Sequence, residues 1–230
     1  MTFHFDKFQG AGNDFIIINR TGEKNLRKEI IAKLCDRKRG IGANGLIIIR
    51  KTASKEIFNF EYYNADGGRA GFCGNGLRCA GLFCHNLTGA DKISFKTKSG
   101  LLSAEIQKDG VIKIDVPVLK MPEKISVLGI KSFFCSTGVP HLIIPVKNIE
   151  KTDVNKLGKK IRFHPLFAPE GTNVNFVQIE REIIKIRTYE RGVEDETEAC
   201  GSGACAAAIC LAIFRNIKAP LRIETKSKEI

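Results

Sequence analysis

Short runs of Ile, Val, Leu and Phe recur along this chain between turn residues. Phe15–Ile18, Leu46–Ile49, Ile57–Tyr63, Lys92–Phe95, Leu101–Ile106, Val111–Val116, Leu142–Val146, Val174–Ile179, Ile183–Tyr189 and Leu221–Glu224 have the length and β-branched or aromatic content of strands. Ser99-Gly100 and Asp109-Gly110 mark turns between them. Helical patterns are confined to Asn25–Arg37, about Cys73–Asn86, about Thr152–Ile161 and Cys200–Asn216. Many strands with few helices predict an α+β fold.

Two of these helices stand apart. The stretches from Leu77 to Leu87 and from Ala204 to Phe214 are apolar around nearly the whole circumference. A helix without a polar face is expected to be buried on all sides, here threaded through a wrapped sheet. Both open alike, on Cys73-Gly74-Asn75-Gly76 and Cys200-Gly201-Ser202-Gly203. Upstream, Gly12-Asn13-Asp14-Phe15 leads into one apolar run and Thr172-Asn173-Val174-Asn175-Phe176 into another. The same two pieces in the same order predict two related halves joined near Pro117–Pro122: residues 1–117 carry Cys73 and residues 118–230 carry Cys200.

A cysteine at a helix start lies among unpaired backbone N–H groups, at the positive end of the helix dipole. That setting favours thiolate, and the same N–H groups bind a carboxylate. One such cysteine is as readily a small buried residue as a reactive one; a matched pair points to one substrate held between two helix starts. Two cysteines facing one carbon suit inversion of configuration, because a thiolate removes a proton from one side and a thiol supplies one to the other. Helix N-termini aimed at the α-carboxylate of an amino acid would stabilise the resulting carbanion.

Composition narrows the setting. No basic segment followed by an apolar stretch opens the chain, and no apolar run approaches the roughly 18 residues that span a membrane. The expectation is a soluble cytoplasmic protein. The net charge of +12 raises nucleic-acid binding. The basic residues are scattered, however, and the densest stretch, Lys24–Arg39, reads as the solvated face of a helix. The eight cysteines include no Cys-x-x-Cys pair. Cys79/Cys84, Cys200/Cys205 and Cys205/Cys210 are each five residues apart, which turns helical side chains about 140° from one another. Neither a metal site nor a disulfide framework is expected, and most of the cysteines read as small buried hydrophobes.

Three further features carry two readings each or a misleading one. Gly40-Ile41-Gly42-Ala43-Asn44-Gly45 has the formal spacing of a dinucleotide loop, but it follows a helix and precedes a strand, the reverse of that site, and reads as a tight turn. Glu190-Arg191 is either a surface ion pair or a holder of an ammonium and a carboxylate. His141, after Pro140, reads as a core histidine, with a base near a thiol as the alternative.

Taken in order, these motifs resemble those of the diaminopimelate epimerase family. The resemblance rests on Gly10-Ala11-Gly12-Asn13-Asp14-Phe15, on Asn64-Ala65-Asp66-Gly67 leading to Cys73-Gly74-Asn75-Gly76-Leu77-Arg78-Cys79-Ala80, and on Gly138-Val139-Pro140-His141. It continues through Glu170-Gly171-Thr172-Asn173-Val174-Asn175-Phe176 and Tyr189-Glu190-Arg191-Gly192-Val193 to Cys200-Gly201-Ser202-Gly203-Ala204-Cys205-Ala206. It implies two pseudo-symmetric halves, each a mixed β-sheet wrapped around a central buried helix. It also implies a cofactor-free enzyme, without metal, interconverting LL- and meso-diaminopimelate for lysine and peptidoglycan synthesis, commonly as a homodimer. Carried over, Cys73 and Cys200 are the acid–base pair; Gly74, Asn75, Gly201 and Ser202 hold the reacting carboxylate; Asn13, Asn64, Asn173, Glu190 and Arg191 hold the amino and carboxyl groups of the substrate. Val139 stands where a substrate-facing Asn is expected, Asn44 replaces an Asp, and Ser202 replaces a Thr while keeping the hydroxyl. The alternatives are a racemase or isomerase of the same fold acting on another amino acid and, in another class, a basic nucleic-acid-binding protein.

Overall fold

A computed structural model describes residues 4–20, 26–54, 56–180 and 183–227. They fall into two compact units, Met1–Pro117 and Val118–Ile230. The first contains β1 (Asp6–Gly10), β2 (Asn13–Asn19), α1 (Lys28–Cys35), β3 (Gly45–Lys51), β4 (Ile57–Asn64), β5 (Arg69–Ala70), α2 (Gly74–Thr88), β6 (Lys92–Thr97), β7 (Gly100–Ile106) and β8 (Ile112–Ile114). Its mixed sheet runs β1-β2-β3-β4-β6-β7-β8, with β5 added beside β4. The second contains β9 (Lys120–Val127), β10 (Ile130–Ser136), β11 (Pro140–Pro145), α3 (Val154–Arg162), β12 (Asn173–Glu180), β13 (Ile183–Glu190), β14 (Asp195–Thr197), α4 (Gly201–Arg215) and β15 (Arg222–Glu224). Its sheet runs β14-β13-β12-β11-β10-β9, with β15 beside β13.

The central strands are continuous apolar runs because both of their faces are covered. In β3, Ile47 and Ile49 pack with Leu77, Ala80 and Phe83 of α2, while Leu46 and Ile48 pack with Ile31 and Cys35 of α1. The second unit repeats the three layers. Ile143 and Val177 meet Ala206, Ala207, Cys210 and Leu211 of α4, whereas Leu142, Ile144 and Phe176 meet Val154 and Ile161 of α3. Asp153 caps α3, its side chain accepting from the Lys156 N–H at 3.0 Å. The first helix begins at Lys28; the expected start at Asn25 lies outside the described residues.

The two sheets repeat one pairing scheme. An antiparallel pair (β1–β2, β10–β11) leads to a parallel neighbour (β3, β12) and an antiparallel one (β4, β13). A helix (α2, α4) then crosses to a strand parallel to the last (β6, β15). This scheme corrects one expected echo. Gly12-Asn13 enters β2, whose counterpart is β11, so it matches Gly138-Val139; both glycines hold left-handed φ values, +78° and +87°. Thr172-Asn173 instead enters β12, the counterpart of β3, which Asn44-Gly45 enters. Both motifs look alike as an Asn turn before an apolar strand; only strand pairing separates them.

The two long helices also differ in burial. α2 packs against β1, β2, β3 and β6 and also against β7 and β8. α4 packs against β9 to β12, and β7 and β8 have no counterpart after β15 among the described residues. The expectation that both helices are buried on all sides is corrected: Leu87 near the end of α2 is 45% exposed and Ile213 of α4 51%, because each last turn extends past the strands that cover the rest.

Candidate active site

In each unit the motif residues gather at one edge of the sheet. Asn13 begins β2, Gly45 begins β3 and Asn64 ends β4; the registers Phe15–Gly45 and Gly45–Asn64 set them side by side. The β1–β2 turn lies against the start of α2, since a Cβ on Gly10 would stand 3.3 Å from Cys79 Sγ and 3.5 Å from the Asn75 carbonyl. Asn13 is half-buried and Asn64 exposed. The Asn64 carbonyl accepts from the Gly67 N–H and closes the tight turn that follows β4. Behind Asn13, the Asp14 carboxylate accepts from Arg37 at 2.6 and 3.2 Å, from Lys7 at 2.8 Å and from the Asn44 N–H at 3.0 Å. Burial alone would raise the Asp14 carboxyl, but these donors outweigh it and hold it far below the usual carboxylate range.

Cys73 is the N-cap of α2. Its backbone is extended, and its sulfur accepts from the Gly76 N–H at 3.4 Å. Gly74 and Asn75 occupy the first two helical positions, where backbone N–H groups lack intrahelical acceptors. The Asn75 side chain accepts from Arg78 at 2.5 Å. Beneath this turn Ile47 approaches Gly76, and Phe15 meets Tyr62 edge to face at 6.0 Å.

The second unit places Val139 before β11, Asn173 at the start of β12 and Glu190 at the end of β13, again on one edge. Buried Asn173 ties this edge together. Its amide donates to the Pro140 carbonyl at 3.0 Å and accepts from the Arg191 N–H at 2.8 Å. The Glu190 carboxyl accepts from Thr197 Oγ1 at 2.8 Å, and burial raises it above the ordinary value against that bond. Burial lowers the half-buried Arg191, opposed by Glu170, whose carboxylate is 3.9 Å away.

Cys200 is the N-cap of α4, followed by Gly201 and Ser202 at the first two helical positions. Its sulfur lies 3.6 Å from Ser202 Oγ. Ser202 Oγ in turn lies 3.0 Å from His141 Nε2, and His141 Nδ1 lies 3.2 Å from Asn175 Nδ2. Asn175 also donates to the Leu142 carbonyl at 3.1 Å and accepts from Thr188 Oγ1 at 2.9 Å. Burial, with a smaller contribution from Arg191, pushes His141 down to about 3, so it is neutral near pH 7. His141 is therefore a core residue, as its sequence setting suggested, and also sits one residue from the thiol. Thr137 Oγ1 pins the same turn from the side, donating to the Ser202 carbonyl at 2.9 Å. Sequence reasoning assigns no role to Thr137, Asn175 or Thr188; for Asn175 and Thr188 the available signal is a polar residue at a buried position of an otherwise apolar strand, whereas Thr137 lies in the bend after β10 and carries none. The turn at Gly40–Gly45 is closed by backbone bonds from Ile41 and Gly42 to Leu34 and from Ala43 to Cys35, as its order relative to helix and strand predicted. No helix among the described residues is long and apolar enough to cross a membrane.

The fold recurs in other solved structures. A phenazine biosynthesis protein of the PhzF family from Bacillus anthracis superposes over 98% of this chain and 85% of its own, with a TM-score of 0.67 at 15% identity. A probable proline racemase from Agrobacterium radiobacter K84 does so over 95% of this chain and 79% of its own, with a TM-score of 0.65 at 14% identity. At such identities the likeness establishes the fold alone. The family model for diaminopimelate epimerase matches residues 5–119 and 133–230. The diaminopimelate epimerase of Aquifex aeolicus is 41% identical over 98% of this chain and 88% of its own length. The chain belongs to the diaminopimelate epimerase family and is an isomerase; the nucleic-acid reading of its net charge is not favoured.

Proposed function

We propose that the protein interconverts LL- and meso-diaminopimelate by proton transfer at one α-carbon, with Cys73 and Cys200 as the acid–base pair. The observation that carries this reading is the matched placement of the two cysteines, each the N-cap of the helix that crosses its own unit. The thiolate of one removes the α-proton, and the carbanion takes a proton from the thiol of the other on the opposite face. Charge and proton count balance, the first sulfur ending as thiol and the second as thiolate, and the reverse reaction exchanges the roles. The transfers need no group beyond the two sulfurs.

The N–H groups at Gly74 and Asn75 and at Gly201 and Ser202 are the donors for the α-carboxylate, on which the carbanion's charge is delocalised. Removing one such donor typically costs on the order of 100- to 1000-fold in rate. Asn13, Asn64 and Asn173 supply amide contacts, Glu190 accepts from an ammonium, and Arg191 grips a carboxylate. The family resemblance supports a cytoplasmic homodimer that makes a precursor of lysine and peptidoglycan.

The test is incubation with LL-diaminopimelate in D₂O under reducing conditions, following deuterium entry at the α-carbon and the change of configuration. Wild type should exchange and epimerise, and Cys73→Ala and Cys200→Ala should each lose epimerisation. Wild-type rates in both variants would end the two-cysteine mechanism. Exchange of a different amino acid, with none of diaminopimelate, would select the racemase alternative.

A further inference from the structure

Beneath Cys200 lies a buried polar chain whose hydrogen-bond directions can be assigned one after another. The Leu142 carbonyl can only accept, so the group of Asn175 facing it at 3.1 Å is the amide nitrogen. Thr188 Oγ1, 2.9 Å from the other end, then donates to the Asn175 carbonyl oxygen. With that amide fixed, its second N–H points at His141 Nδ1 at 3.2 Å. A neutral imidazole facing an N–H must present a lone pair, so its proton is on Nε2. Nε2–H therefore donates to Ser202 Oγ at 3.0 Å, and the Ser202 hydroxyl proton is left to point toward the Cys200 sulfur at 3.6 Å.

We propose that Thr188 and Asn175 are positioning residues for Cys200: they fix the tautomer of His141, and through Ser202 this delivers a hydrogen-bond donor to the sulfur. The proposal rests on the assignment of Cys200 to the acid–base pair. Four of the five groups are enclosed: Asn175 and His141 are fully buried, Thr188 is 3% exposed and Cys200 8%, while Ser202 is half-buried at the helix start. A buried chain of this kind is costly unless every member is satisfied, and here each donor finds an acceptor. The counterpart positions in the first unit, read from strand register, are Tyr62 for Thr188, Ile47 for Asn175, Phe15 for His141 and Asn75 for Ser202. The first unit thus carries a phenol, an aliphatic chain, a phenyl ring and an amide where the second carries Thr188, Asn175, His141 and Ser202, and among the contacts of the Cys73 sulfur is the Gly76 N–H. The titratable and charged groups at this end of the second sheet include His141 on β11, Glu190 and Arg191 at the close of β13, and Glu170, Arg162 and Glu194, which act on Arg191; Arg191 acts on His141 in the same direction as burial.

The test reads the thiols without substrate, so its outcome is separate from that of the epimerisation assay. The full chain is alkylated with iodoacetamide across pH 5 to 10, and Cys200 and Cys73 are quantified by peptide mass spectrometry. In Thr188→Val the midpoint for Cys200 should rise by about one pH unit while that for Cys73 stays put, and kcat/KM should fall roughly tenfold at neutral pH. Thr188→Ser, which keeps the hydroxyl, should restore both. Ser202→Ala, at a half-exposed position that does not endanger folding, should raise the Cys200 midpoint likewise. An unmoved Cys200 midpoint in Ser202→Ala, or equal movement of both cysteines in Thr188→Val, overturns the proposal.

Discussion

The two helix starts share a backbone plan and differ in what lies under them. Cys73 caps α2 over Ile47, Phe15 and Tyr62; Cys200 caps α4 over Asn175, His141 and Thr188. The glycine one turn into each helix shows the difference directly. A Cβ on Gly76 would stand 3.2 Å from the terminal methyl of Ile47, whereas a Cβ on Gly203 would fall on the Asn175 carbonyl oxygen. One underlay can yield, because a methyl group at the end of an aliphatic chain can rotate. The other is held by a network whose members each have a fixed direction. Equivalent topology has been filled with two chemistries, so two cysteines that the chain presents alike need not behave alike.

The largest effect expected is loss of the sulfur itself. Cys73→Ala and Cys200→Ala should each slow epimerisation by about 1000-fold or more, the scale of a general acid or base. A much smaller loss in one variant would show that the two starts are not a working pair. Next, Gly203→Ala should destabilise the protein by about 2 kcal/mol, because the Asn175 amide must shift and break its bonds, while Gly76→Ala should cost less than about 1 kcal/mol. Urea midpoints of the two variants test this; equal costs would mean that the polar underlay is as pliable as the apolar one.

A pH comparison comes third. His141 is held near 3 in the folded chain against an ordinary value of 6.5, so the unfolded chain takes up its proton first as pH falls. Its contribution to stability is complete above pH 6.5 and is lost progressively toward pH 3. Between pH 7 and pH 5 the loss should be about 2 kcal/mol. His141→Phe, which installs the residue of the first unit, should be less stable at pH 7 and lack that acid slope in urea titrations. An unchanged slope would mean that another group carries it. The smallest effect belongs to the ion pair behind Asn13. Asp14 is 22% exposed and Arg37 59%, so Asp14→Asn should cost about 1 kcal/mol at low salt and less in high salt. A salt-independent cost would point to packing rather than charge.

Strands covered on both faces were legible because they need apolar residues at every position, as in Gly45–Lys51 and Asn173–Glu180. β9, Lys120–Val127, gave no such signal. It is an edge strand with mostly exposed residues and carries Pro122, which an edge tolerates. β1 and β14 are likewise short, polar and at sheet edges. At the site, both cysteines and the glycines after them could be read from adjacent residues, because an N-cap and its first turn are local in sequence. The Asn13 echo could not, since matching it requires knowing that β2 corresponds to β11 and β3 to β12.

The sequence by itself determined the α+β character of this protein, its two-part organisation, its buried central strands and the two Cys-Gly-x-Gly helix starts. Each of these is written in residues a few positions apart, where periodicity and capping act. Tertiary structure alone decided the partners of Ser202. His141, Asn175 and Thr188 stand 61, 27 and 14 positions from it in the chain, and only the pairing of β11, β12 and β13 brings them under one helix start. Hydrogen bonds act over about 3 Å, so a network drawn from four elements has no local signature until those elements are packed.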